Sequence, residues 1–120
     1  GVVEINDRKI KLDDVSHEVY GPCLVYSGDT RPCESTINNS KGVKLLIHES
    51  MFLNELQELA IERMHSTALE AGEVAKSAGV EKLILTHISP RYKDRAILEE
   101  EAGKVFGDVL AAYDGMTVEL

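Results

Sequence analysis

Apolar residues in this chain fall into short continuous runs, separated by stretches in which they recur at helical spacing. The runs over 23–27, 43–47 and 82–86 are apolar at most positions, the pattern of short strands buried on both faces. Phe52, Leu56, Leu59 and Arg63 recur at helical spacing with Leu53 and Ala60 beside them, so a helix is predicted that stops before His65. The next helix announces both of its ends. Thr67 with Glu70 three residues on makes a capping box, Ala71, Val74, Ala75 and Ala78 share one face, and Gly79 is placed to close it. Residues 94–106 are amphipathic, with Leu98, Ala102, Val105 and Phe106 inward and Glu99, Glu100 and Glu101 on what reads as a solvated face. Pro32 can open a short helix that Asn38, Asn39 and Gly42 end. A hairpin is predicted near each end of the chain. One pairs Val2–Ile5 with 9–12 around Asn6-Asp7, and the other pairs 109–113 with 116–120 around Asp114-Gly115, a dipeptide suited to a type I′ turn.

Strand and helix signals alternate, so the fold class is α/β, a sheet covered by helices. No repeat, low-complexity tract or long linker divides the chain, and residues 1–120 read as a single domain with a modest core. The sequence is 43% hydrophobic and 28% charged, the balance of an ordinary globular protein. No apolar run approaches the ~20 residues that span a membrane, and no basic-apolar-small leader opens the chain. No membrane partner and a cytoplasmic location are therefore expected. The net charge of −8 weighs against this piece gripping nucleic acid by itself, because neutralising phosphates requires Lys and Arg. Cys23 and Cys33 match no compact zinc pattern and read as reduced, partly buried thiols.

Four apolar runs end on chemically able residues: Val25-Tyr26-Ser27-Gly28-Asp29-Thr30, Leu45-Leu46-Ile47-His48-Glu49-Ser50, Met64-His65-Ser66-Thr67 and Leu83-Ile84-Leu85-Thr86-His87-Ile88-Ser89. Reactive residues at one end of short buried strands are how α/β proteins build sites. Asp29, just past a strand and flanked by Gly28, can project into a cleft as a metal carboxylate or fold back as a turn residue. His87 suits a metal or a structural hydrogen bond. Glu49 and His65 could form a proton-delivery pair, or a helix salt bridge and a helix-terminal His. His48 adjoins Glu49 and in a strand faces the other way, which gives it a structural role. His17 falls in a polar loop. Ser66 and Thr67 open a helix and could seat a phosphate or simply cap. Arg31 could contact RNA or Glu34.

The stretches Ser27-Gly28-Asp29-Thr30-Arg31-Pro32-Cys33-Glu34, Ile47-His48-Glu49-Ser50, His65-Ser66-Thr67-Ala68 and Leu85-Thr86-His87-Ile88-Ser89-Pro90-Arg91-Tyr92, in this order, resemble ribonuclease Z. That family is the tRNA 3′-processing endonuclease of the metallo-β-lactamase fold. The family's His-x-His-x-Asp-His run is absent, so the chain looks like the C-terminal half of an αββα sandwich, a mixed sheet with helices on one face. The other face of that sheet would then be apolar and exposed, and a homodimer or recruitment of the missing N-terminal half is expected.

The resemblance implies two zinc ions per complete site, with Asp29 and His87 as metal ligands from this chain. It implies His65, backed by Glu49, as the donor of a proton to the leaving 3′ oxygen of precursor tRNA. Ser89 and Arg91, beside His87, could contact phosphate or simply form a loop, and Thr30, with Ser66 and Thr67, is a further candidate for substrate binding. With so few ligands, the 120 residues alone are expected to bind zinc weakly and to cleave nothing. Another metallo-β-lactamase-fold phosphodiesterase, or a dimerising half-domain without catalysis, are the rival expectations.

Overall fold

A computed structural model describes residues 2–5, 8–11, 19–20, 24–113 and 115–117. Two sheets are present among them. Strands β1 (Val2–Ile5) and β2 (Arg8–Lys11) form the expected antiparallel hairpin, with Val2 opposite Lys11 and Ile5 opposite Arg8. The main sheet has the order β3-β4-β5-β6-β7, built from β3 (Val19–Tyr20), β4 (Leu24–Tyr26), β5 (Leu45–Glu49), β6 (Lys82–Thr86) and β7 (Val109–Ala111). Only β3 runs antiparallel, so the sheet is mixed, as expected.

The helices are α1 (Glu34–Asn39), α2 (Gln57–Glu62), α3 (Ala68–Ala78) and α4 (Ala96–Gly103). Side chains alternate across the strands. Val25, Leu46, Leu83 and Leu85 pack with Ala68, Ala71, Val74 and Ala75 of α3 and with Leu98 and Ala102 of α4. Leu24, Leu45, Ile47 and Ile84 lie on the other face. That second face was expected to be open, and it is not. These four side chains are at most 1% exposed, with Ala112 and Met116 from beyond β7, and Tyr26, packed among them. Ala112 and Met116, from beyond β7, pack on this face.

Three sequence expectations change for identifiable reasons. The helix expected from Phe52 starts later, as a 3₁₀ turn over Asn54–Leu56 that leads into α2. The second expected hairpin falls partly on residues 114 and 118–120, outside the described residues; its first strand, β7, pairs in parallel with β6, Leu83 opposite Val109, a pairing the turn signal did not include. The acidic face of α4 is not simply solvated. Glu101 accepts the backbone N–H groups of Asn54 and Leu69, and Glu99 accepts that of Ala111. The capping box of α3 is present in full, and Gly79 closes that helix in the left-handed conformation. His17 and Cys23 lie outside the described residues, while Cys33 is a free thiol beside the Thr36 hydroxyl at 3.2 Å.

Candidate metal and proton-transfer site

Because β4, β5 and β6 are parallel, their C-terminal ends lie together, and the residues that leave them meet at one edge of the sheet. Asp29 follows β4, Glu49 ends β5 and His87 follows β6. His65 arrives from the helical side. It stands just after α2, where Met64 takes a left-handed φ of 62°. The His65 N–H donates to Ala60 O at 2.8 Å and the Met64 N–H to Ile61 O at 3.3 Å, the paired bonds of a Schellman cap. His87 is itself left-handed, with φ 53°. The backbone bonds Ser50 N–H to Thr86 O and Ser89 N–H to Met51 O bracket it from both sides. A non-glycine residue held in this region carries local strain that its surroundings must enforce.

The four side chains converge. His65 Nδ1 lies 2.9 Å from Glu49 Oε1, and His87 Nε2 lies 3.6 Å from Asp29 Oδ1. The two imidazole centroids are 5.2 Å apart. One donor atom from each of Asp29, His65 and His87 falls within 4.8 Å of the others, the grouping that could hold a metal ion among the described residues. Such spacing suits ligands drawn to one divalent cation, given metal–nitrogen and metal–oxygen bonds of about 2.0–2.2 Å. Asp29 and His87 are largely exposed there, whereas the Glu49 side chain is 1% exposed. His65 therefore faces the site with a buried carboxylate behind it.

Glu49 is held on every side. Its Oε1 accepts the Thr30 N–H at 2.9 Å as well as His65, and its Oε2 accepts the Met51 N–H at 3.2 Å. Burial pushes its carboxyl above the ordinary range, and hydrogen bonds from the Ser66 and Thr30 backbone and from His65 offset that only in part. His48, on the opposite side of β5, is fully buried; its Nδ1–H donates to Glu49 O at 2.8 Å and Nε2 has no partner. Burial holds its pKa down at about 4, so it is neutral and structural.

The residues expected near substrate divide. Ser66 and Thr67 are fully buried, and their phosphate reading is corrected. The opening amides of α3 are already occupied: Thr67 N–H by Glu70 Oε1, Ala68 N–H by Phe52 O, Leu69 N–H by Glu101 and Glu70 N–H by the Thr67 hydroxyl. A helix start with satisfied donors offers nothing to an anion. The Ser66 hydroxyl donates to Thr30 O, and that of Thr30 to Arg31 O. Ser89 is buried and accepts the Arg91 N–H. Arg91 is exposed, its guanidinium carbon 5.3 Å from the centroid of the Phe52 ring, which meets His65 edge-on at 6.5 Å. Arg31 finds a partner that the sequence reading did not offer. It forms a bidentate pair with Glu70. No local pattern revealed that pairing, since the two residues are far apart in sequence.

No protein-family model matches this chain. Individual proteins do. The chain is 49% identical over 119 residues to ribonuclease Z of Methanothermobacter thermautotrophicus, a match covering 98% of this chain and 39% of that protein. Among solved structures, the metallo-β-lactamase fold protein YhfI of Bacillus subtilis superposes with a TM-score of 0.72 at 35% identity, covering 78% of this chain and 38% of that one. A long form RNase Z from yeast gives 0.68 at 36% identity, over 78% of this chain and 13% of its own. The fold is that of part of a metallo-β-lactamase fold, and the chain resembles ribonuclease Z over nearly all its length. It spans well under half the length of the curated relatives it matches.

Proposed function

We propose that this ribonuclease Z-like chain, the C-terminal half of such an enzyme, forms one wall of a zinc-dependent endonuclease site that releases the 3′ end of precursor tRNA. The observation that carries the reading is the convergence of Asp29, His87, His65 and Glu49 at the ends of three parallel strands. Asp29 and His87 would hold metal from this side. The remaining ligands belong to parts of the protein outside this chain, where the family's His-x-His-x-Asp-His run resides. A bound zinc pair supplies Lewis-acid activation of water and of the phosphoryl group.

The chain's own chemistry is proton delivery. When the P–O bond to the 3′ oxygen of the tRNA body breaks, that oxygen leaves with negative charge. Cationic His65 gives it the Nε2 proton, since Nδ1–H is committed to Glu49. Glu49 fixes the ring orientation and, when ionised, favours the cation, while the backbone N–H groups of Thr30 and Met51 keep the carboxylate in place. Arg91, exposed and set against the Phe52 ring, is the substrate-phosphate contact carried over from the sequence reading.

The test compares the purified chain with the intact protein that contains it. Zinc titration calorimetry should give weak binding to the chain alone, abolished by Asp29→Ala. Only the intact protein should cleave a labelled precursor tRNA at the mature 3′ end. Sustained cleavage by the isolated chain, or an intact protein indifferent to precursor tRNA, would overturn the reading.

A further inference from the structure

Asp29 and His65 sit on separate loops, one after β4 and one after α2, and residues outside the proton-delivery pair lace these loops together. The Ser66 hydroxyl donates to Thr30 O, and the Thr30 N–H donates to Glu49 Oε1. The charged stitch is Arg31. Its Nη1 donates to the His65 carbonyl at 2.8 Å and to Glu70 Oε1 at 2.6 Å, and its Nη2 donates to Glu70 Oε2 at 2.6 Å. A guanidinium is a rigid planar fork, so a bidentate seat on a carboxylate fixes its plane and aims the remaining N–H. Here it is aimed at the peptide oxygen of His65.

Glu70 is a fixed anchor. Its Oε1 also accepts the Thr67 N–H of the capping box, and its Oε2 accepts the Gln57 amide at 3.1 Å. Burial would raise its carboxyl, but the hydrogen bonds from Arg31, Thr67 and Gln57 outweigh burial and hold it below the ordinary range. The side chains of the pair are 24% and 9% exposed, so solvent competes weakly for the fork.

We infer that Arg31 is a positioning residue for His65: anchored on Glu70, it holds the His65 carbonyl and so directs the imidazole toward Glu49 and the Asp29–His87 pair. The inference rests on the reading of His65 as proton donor and deepens it. The His65 N–H is bound to Ala60 O, and the carbonyl is bound to Arg31. With both flanking peptide groups tied, the Cα–Cβ direction is set, and only the side-chain torsions are left for Glu49 to fix. Freeing the carbonyl loosens that direction at the one atom whose placement governs proton transfer. A fork spent on protein partners is also not a phosphate contact, so its loss should act on the rate of the chemical step rather than on substrate affinity.

The experiment uses the intact protein carrying this chain, with Arg31→Met and Glu70→Gln. Thermal melts, the Nδ1–H resonance of His65 in ¹⁵N-histidine-labelled protein, and single-turnover cleavage of precursor tRNA are recorded for each. Arg31→Met should lose the protected Nδ1–H resonance and cleave ~10- to 100-fold more slowly, with KM within about threefold of wild type. Added guanidinium should recover part of the rate. Glu70→Gln keeps an acceptor for the helix cap and should show the same losses to a lesser degree. It carries the test if Arg31→Met does not fold. An unchanged resonance and rate in either folded variant, or a loss confined to KM, would overturn the inference. Absence of cleavage by the wild-type protein would instead sink the functional reading, and the resonance alone would then decide on Arg31.

Discussion

Replacing Glu49 by Gln keeps the length and shape of the side chain while removing its charge and one of its two accepting atoms. In the fold, Oε1 receives the Thr30 N–H and His65, and Oε2 receives the Met51 N–H. An amide oxygen placed at Oε1 turns its NH₂ toward the Met51 N–H, so two donors face each other in a buried site. Leaving one buried donor unsatisfied costs about 1–3 kcal/mol. The stability loss is partly offset, because the amide no longer carries the burial penalty that raises the carboxyl. The rate has no such offset. A hydrogen bond to a charged group contributes about 1.5–3 kcal/mol, and losing that much from a state with cationic His65 slows the step by ~10- to 150-fold. Single-turnover cleavage of end-labelled precursor tRNA by the intact protein that carries this chain, with thermal melts in parallel, measures both effects. The pH profile adds a second signature. Glu49 titrates above its ordinary 4.5, so wild-type activity should fall as pH drops through that raised value, a limb that Glu49→Gln lacks. The stability linkage has the opposite sense: the raised carboxyl favours the fold below pH 4.5, and that stabilisation is lost as pH rises through the folded value. Equal rates in the two proteins, with both folded, would refute the proton-delivery pair.

Three further outcomes follow from the packing. His48 is held neutral with a pKa of about 4 against 6.5, which at ~1.4 kcal/mol per pH unit amounts to ~3 kcal/mol of stability, present above pH 6.5 and lost as pH falls toward 4. Urea melts should show that slope and His48→Gln should flatten it; a wild-type curve without a slope between those limits contradicts it. Gly72→Ala places a Cβ 2.8 Å from Val105 Cγ2 and 2.9 Å from Ala102 O, so α4 must move, and an overpacking cost of about 1–3 kcal/mol should exceed the ~1 kcal/mol gain in helix propensity. A raised melting temperature in that variant would show that α4 yields freely. Met64→Gly should stabilise by ~0.5–1 kcal/mol, since Met64 is 67% exposed and pays for a left-handed backbone that glycine adopts without strain; an unchanged or lowered denaturation midpoint would argue against strain at that cap.

The sheet and the gathering of these side chains at its edge were legible because they are written locally. Continuous apolar runs give parallel strands, and parallel strands bring their ends together, so Asp29, Glu49 and His87 could be placed at one edge before any coordinates. His65 was legible through the capping box just after it. What could not be read depends on contacts between distant segments. Arg31 with Glu70 and Glu101 with Asn54 and Leu69 are invisible to any pattern of nearby residues. The same blindness produced the errors. Ser66 and Thr67 looked free to bind phosphate because the packing that buries them, and the partners of the Ala68 and Leu69 amides beside them, come from distant segments. The face carrying Leu45 and Ile47 looked bare because residues that pack on it, Ala112 and Met116 among them, come from beyond β7.

The carboxylate of Glu101 has a consequence for the order of events as the chain folds. It closes the start of the 3₁₀ turn at Asn54 and the first turn of α3 at once, across more than thirty residues of sequence. Neither segment can finish until α4 has docked, and such distant closures are slow relative to local helix formation. The loop bearing His65 lies between those two segments, so it should be among the last parts of the molecule to settle. Formation of the His65–Glu49 contact would then lag behind the burst of helical signal in a refolding experiment.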